Sequence, residues 1–225
     1  MSDNASCLFA STARRPVLAG RVTHDPEQAR RIAAAFPGGP WVRVRDGSLE
    51  AGLYPSFGEL WVGAYGDTVV VTHDDLSGAI DDEGGSEPTP HVAAVQRMLP
   101  GSRILVSVIA RETWGYAWFE RGRCVRTYAG ELGHRVFCDH GEPVPEDRVW
   151  GERRLVVDDE PCFHWVDELG RVRTATEADA GYEITEAQSL AFLGYALLDY
   201  AAAERLPMEM FSNAEARKRR AKEAP

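Results

Sequence analysis

Trp114-Gly-Tyr-Ala-Trp-Phe-Glu-Arg-Gly-Arg-Cys-Val-Arg-Thr-Tyr128 reads as an aromatic β-hairpin. Trp114, Tyr116 and Trp118 recur at every second position, the period that puts strand side chains on one face. Glu120-Arg-Gly-Arg123 supplies a glycine-centred turn, and Cys124–Tyr128 returns along the first strand. Large aromatic side chains in strict alternation belong to a core, so the hairpin predicts an α+β domain and marks where its interior lies. It specifies no reaction.

Working outward, the other strands are legible by the same period. Glu59-Leu-Trp-Val-Gly-Ala-Tyr65 turns at Gly66-Asp67 into Thr68-Val-Val-Val-Thr72. That second run is apolar throughout and predicts a central strand, as does Arg103–Ile109. Cys7–Ala10 and Pro16–Ala19 read as short opening strands. Trp41-Val-Arg-Val-Arg45 alternates like a half-buried strand, with a turn at Asp46-Gly47 and a return along Ser48–Leu53. Gly133–Cys138 reads as one more strand, followed by the stiff loop Gly141-Glu-Pro-Val-Pro-Glu146.

Three helices have start and stop signals. Asp25 and Pro26 open one that places Ala29, Ile32, Ala33 and Phe36 on a single face, and Pro37-Gly-Gly-Pro40 ends it. Pro90–Leu99 turns Val92, Val95, Met98 and Leu99 inward. Thr185 caps a helix over Glu186–Ala203, whose apolar face is Leu190, Leu193, Leu197 and Tyr200. Leu206–Phe211 follows as an extended segment. Residues 146–183 are rich in charge and turns, anchored by Trp150, Phe163 and Trp165. The expected architecture is a single α+β domain over residues 1–211: a mainly antiparallel, twisted sheet with helices packed on one face. Residues 212–225 form a basic tail, helical or disordered.

Charge restricts the partners. The net charge is −10, yet residues 213–225 hold five of the 25 basic and two of the 35 acidic side chains. Residues 1–212 therefore carry 20 basic and 33 acidic groups, a net of −13. Such a body repels nucleic acid and anionic membranes and suits a basic protein. The tail is the one stretch with the charge for nucleic acid, and it lacks the interleaved aromatics of a stacking platform. No apolar run approaches the roughly 20 residues of a membrane span, and Met1-Ser-Asp-Asn4 does not open a signal peptide. The expected setting is the reducing cytoplasm, with free thiols at Cys7, Cys124, Cys138 and Cys162.

Candidate chemistry is sparse. Cys138-Asp-His140 and Cys162-Phe-His164 repeat one spacing, with His134 close by. On strands, residues two apart share a face, so Cys138, His140, Cys162 and His164 could supply the two sulfurs and two imidazoles of tetrahedral zinc. Against this, zinc ribbons use tighter Cys-x₂-Cys frames, and unrelated core and loop residues give the same pattern. A cysteine nucleophile with His134, His140 or His164 as base is a further possibility, but cysteines in strand patterns are more often buried and inert. Asp74-Asp75, Asp81-Asp82-Glu83 and Asp158-Asp159-Glu160 do not follow the calcium-loop frame and read as solvated loops. No phosphate-binding glycine loop and no serine elbow occurs. No catalytic residue is singled out, and no cofactor is implied.

The strands Gly58–Tyr65 and Trp114–Arg123, the step Gly141-Glu-Pro143 and the run Phe192-Leu-Gly-Tyr195 resemble a group of bacterial proteins of unknown function, most of them actinobacterial. The resemblance spans roughly residues 55–205 and rests on structural motifs, and it implies no activity and no site residue. The chain departs from that group in its long N-terminal segment and basic tail. The expected function is a non-catalytic, acidic protein-binding module, one version being an immunity-type protein that neutralises a basic toxin. The alternatives are an enzyme using Cys/His or metal-assisted chemistry and a subunit of a larger assembly.

Overall fold

The computed structural model describes residues 4–14, 18, 22–81, 87–148, 154–157, 160–166, 170–216 and 218, with the backbone alone at 154–157, 160 and 161. Its strands are β1 (Ala5–Ser11), β2 (Val42–Ser48), β3 (Glu59–Tyr65), β4 (Thr68–Thr72), β5 (Arg103–Ile109), β6 (Thr113–Glu120), β7 (Arg123–Glu131), β8 (Arg135–Gly141), β9 (Arg154–Val157), β10 (Glu160–Val166), β11 (Val172–Thr176) and β12 (Pro207–Ser212). Nine of them form one antiparallel sheet in the order β2-β12-β3-β4-β1-β5-β6-β7-β8, and β11-β10-β9 form a second. The helices are α1 (Pro26–Ala35), α2 (Leu49–Gly52), α3 (Pro90–Met98), α4 (Gly181–Leu193) and α5 (Tyr200–Ala203).

The aromatic hairpin is β6 and β7, in register Tyr116↔Tyr128 and Trp118↔Arg126 with a bulge after Trp118. Trp114, Tyr116 and Trp118 are all buried on one face. The expected α+β class and antiparallel sheet are therefore present. The helices, however, cover both faces rather than one. Every residue of β1 and β4 is buried, so each face of the central strands needs a cover. Along β5, Leu105 and Ile109 join a core with Trp114, Trp118, Ile184 and Phe192, on the α4 side. Ile104, Val106 and Val108 join a second core with Ile32, Val92 and Val95, on the side of α1 and α3.

Local signals placed α1 correctly: Asp25 Oδ1 accepts from the amides of Glu27 and Gln28 at 3.0 Å. In α3, Val92 and Val95 are buried, but Met98 faces solvent. Three readings change. First, no hairpin forms at Asp46-Gly47. β2 runs through to Ser48 and pairs with β12, because Gly47 leaves room for the Trp61 ring, 2.6 Å from where a Cβ would stand. β2 is an exposed edge, with Val42 and Val44 in solvent. Second, the last helix starts earlier and stops sooner, at Gly194 in the left-handed region (φ 85°). Of the expected apolar face, Leu193 and Leu197 are buried, Leu190 faces solvent from within α4 and Tyr200 is exposed beyond its end, while Thr185 bonds Gly181 O from inside the helix instead of capping it. Third, contacts continue past Asn213. Its amide donates to Gly58 O, its side chain caps Ala216 N at 2.9 Å, and Ala216 is buried. The tail after Lys218, the segment Pro16–Ala19 apart from Leu18, and Trp150 lie outside the described residues.

Candidate functional site

Where β6, β7 and β8 meet α4 and the second sheet, the structure opens a cavity of about 590 Å³. Tyr116, Tyr128, Phe163, Ile184, Val144 and the flanking prolines 143 and 145 give it aromatic and aliphatic walls. Its polar groups are Arg126, Asp139, Asp147, Arg148, Glu177 and Gln188. The volume falls within the range of sites for small molecules or for a partner's anchoring side chain.

The strand period builds the floor. Tyr116 faces Tyr128 across the hairpin at 6.0 Å between ring centroids, and Arg126, two residues before Tyr128, shares its face. The Arg126 guanidinium sits 5.1 Å over the Tyr128 ring. One wall is the short 3₁₀ turn Pro145–Asp147, which two consecutive carboxylates fasten to the sheet, Glu146 to β5 and Asp147 to the hairpin. Glu146 accepts from Arg103 at 2.8 Å, and Arg103 in turn lies 4.5 Å over the Trp118 ring. Asp147 is the centre of a closed network. Its Oδ1 accepts from Tyr116 Oη at 2.7 Å and Gln188 Nε2 at 3.1 Å, and its Oδ2 from Arg126 Nε and Val144 N, both at 3.2 Å. Arg126 Nη1 also donates to Asp139 and to the carbonyls of His140 and Gly141. Burial opposes the Arg126 charge, but the bond to Asp139 and the field of Asp147 hold its pKa above the ordinary arginine value. Burial, aided by Asp147, raises the Tyr116 phenol well above its usual range.

The residues proposed from sequence for zinc are divided between two sheets. Cys138 and His140 lie on β8; Cys138 is buried in the core on the α1–α3 side, and His140 is exposed. Cys162 and His164 lie on β10; Cys162 is buried and His164 Nδ1 bonds Thr174 Oγ1 at 2.7 Å. None of the four cysteines is joined to another in a disulfide. Among the described residues, the group of three or more donor side chains within metal-ligand reach is elsewhere, at His73, Asp75 and His91. Neither that group nor Arg126 and Asp147 was visible as a constellation in the sequence. One signal existed: Arg126 interrupts the face that carries Tyr128, and a charge on a core face needs a buried partner.

The chain belongs to a family of unknown function, DUF6928, whose model matches residues 5–194. The match starts within β1, so the N-terminal segment read as a departure is part of the family's extent. No curated protein and no solved structure matches the chain. Among the described residues, no helix is long and apolar enough to cross a membrane.

Proposed function

We propose that the chain is a non-catalytic binding protein that seats an apolar side chain of a basic protein partner in this cavity. The observation that carries the reading is the saturation of Asp147, which accepts four hydrogen bonds from protein groups. A carboxylate so engaged has no lone pair left to work as a base, and its partners serve to hold the walls in place. What remains towards the opening is shape, apolar surface and a charged rim, which suit recognition. The thiols fit the same reading: burial raises the pKa of Cys7 and of Cys124, the direction opposite to nucleophile activation. The acidic body, net −13 over residues 1–212, favours a basic partner, and four cysteines without a disulfide suit a reducing, cytoplasmic setting in which that partner is met.

The immunity-type version of this function names the partner as a toxin encoded beside the gene. Its test is titration calorimetry of the purified chain against each neighbouring gene product. One basic product should bind at a ratio of one to one. The rim variant Glu177→Lys should weaken it by roughly 10-fold or more at low salt. Binding that ignores Glu177→Lys but fails with a variant on the exposed edge β2 would move the interface away from the cavity.

A further inference from the structure

A second group of side chains lies on the opposite face of the sheet, beside the core that contains Phe36 and Val92. His73 follows β4 directly and starts the 3₁₀ turn Asp74–Ala79, and His91 lies in the first turn of α3. We propose that His73, Asp75 and His91, with Asp74 as a fourth donor, form a binding site for a divalent transition-metal ion, zinc fitting best.

The distances suit the ion. His73 Nδ1 lies 3.3 Å from Asp74 Oδ1 and 3.9 Å from Asp75 Oδ2. One ligand atom from each of His73, Asp75 and His91 falls within 4.8 Å of the other two. Tetrahedral zinc with nitrogen and oxygen ligands separates its donors by about 3.3 Å, so the ligand atoms of His73, Asp75 and His91 need to draw in by about 1.5 Å at most. Mixed imidazole and carboxylate donors are a set that zinc, cobalt and nickel accept.

The chemistry of the facing atoms points the same way. His73 Nδ1 accepts the Asp75 backbone N–H at 3.1 Å, so it has no proton to offer the Asp74 carboxylate beside it. Electron-rich atoms therefore converge with no positive charge between them, and a cation supplies it. Coordination through Nδ1 exchanges that backbone hydrogen bond for the metal bond. The rings are already held for the purpose. Phe36 packs 5.1 Å from His91 and 5.5 Å from His73, and Trp41 meets His73 edge-on at 5.5 Å. Trp41 is itself fixed by its indole N–H, which bonds the carbonyls of Phe36 and Pro37. A bound ion ties the end of β4 to the start of α3. This site is independent of the cavity and of the partner proposed for it.

The test uses the full chain, stripped with a chelator and dialysed. Cobalt(II) is titrated while its visible absorption and the quenching of Trp41 fluorescence are followed, and zinc is then added in competition. Expected are one ion per chain, a tetrahedral cobalt spectrum, displacement by zinc and a higher melting temperature with zinc. Asp75 is largely exposed and His91 half-buried, so Asp75→Ala and His91→Ala should keep the native circular dichroism. Each should weaken the ion by at least roughly 10-fold, while His140→Ala leaves it unchanged. Absence of stoichiometric binding overturns the proposal. So does binding that survives both variants or depends on Cys162 and His164 instead.

Discussion

Trp118 Nε1 donates to Gln188 Oε1 at 2.9 Å, across the boundary between the aromatic hairpin and α4. Gln188 passes the connection on by donating to Asp147, so one amide joins the hairpin, the helix and the cavity wall. Gln188 is fully buried, and so is Trp118. Gln188→Leu leaves the indole N–H without a partner and should cost about 1–3 kcal/mol in urea unfolding. Trp118→Ala removes a large core ring and should cost about 3–5 kcal/mol. A cost below about 1 kcal/mol for Trp118→Ala would make that side chain a surface platform instead.

Arg126 and Asp147 are both mostly buried, with side-chain exposures of 8% and 13%. Removing one partner strands the other charge, so Arg126→Met should destabilise the fold by about 3–5 kcal/mol. Asp147→Asn in the same chain relieves part of that loss. A double-mutant cycle should return a coupling energy above about 1 kcal/mol. Additive costs would show that the two groups act separately.

Gly181 opens α4 against the flat of Trp114, and a Cβ there would stand 2.0 Å from the indole ring. The contact is too short for any side chain, and the ring is enclosed in the core. Gly181→Ala should therefore destabilise by about 3 kcal/mol, although alanine is the better helix former. Thermal melts of this variant beside Gly78→Ala, at an exposed position where a Cβ would meet only an ordinary contact at 3.6 Å, would reveal an error if the two matched.

Burial pushes the Glu186 carboxyl from 4.5 up to about 7, helped by Glu183 and Asp199 and opposed by the Leu198 N–H that it accepts. The fold thus favours the protonated form. Its contribution is complete below about pH 4.5 and is lost as pH rises through about 7, amounting to about 3 kcal/mol. Unfolding free energy should fall over that window in the wild type, with a flatter profile in Glu186→Gln. Equal slopes would assign the pH dependence to other groups.

Where the period was unambiguous, the sequence sufficed. Trp114, Tyr116 and Trp118 alternate, Val69–Val71 is apolar throughout, and Asp25-Pro26 is a complete helix start; all three led to the observed elements. It failed where a distant residue decided the outcome. Gly47 read as a turn, yet Trp61 needs its missing side chain inside a strand. Leu190, Leu193, Leu197 and Tyr200 read as one helical stripe, but Gly194 stops the helix, so Leu193 and Leu197 reach the core while Leu190 and Tyr200 face solvent. The sites suffered most. Arg126 meets Asp147, and His73 meets His91, through sheet pairing and helix packing that leave no mark on local spacing. The Cys-x-His repeat has a spacing and no convergence, because β8 and β10 belong to different sheets.

The most direct test of the cavity as the partner's seat is photo-crosslinking inside the cell of origin, with a benzophenone side chain at position 148. Arg148 lines the cavity and is exposed, so a reporter there reaches any occupant without disturbing the core. A matched reporter replaces Val44 on the exposed edge β2. The account predicts one discrete adduct from position 148 with a basic protein, absent from position 44 and diminished by Glu177→Lys. No protein adduct from position 148, or the same adduct from position 44, would contradict it.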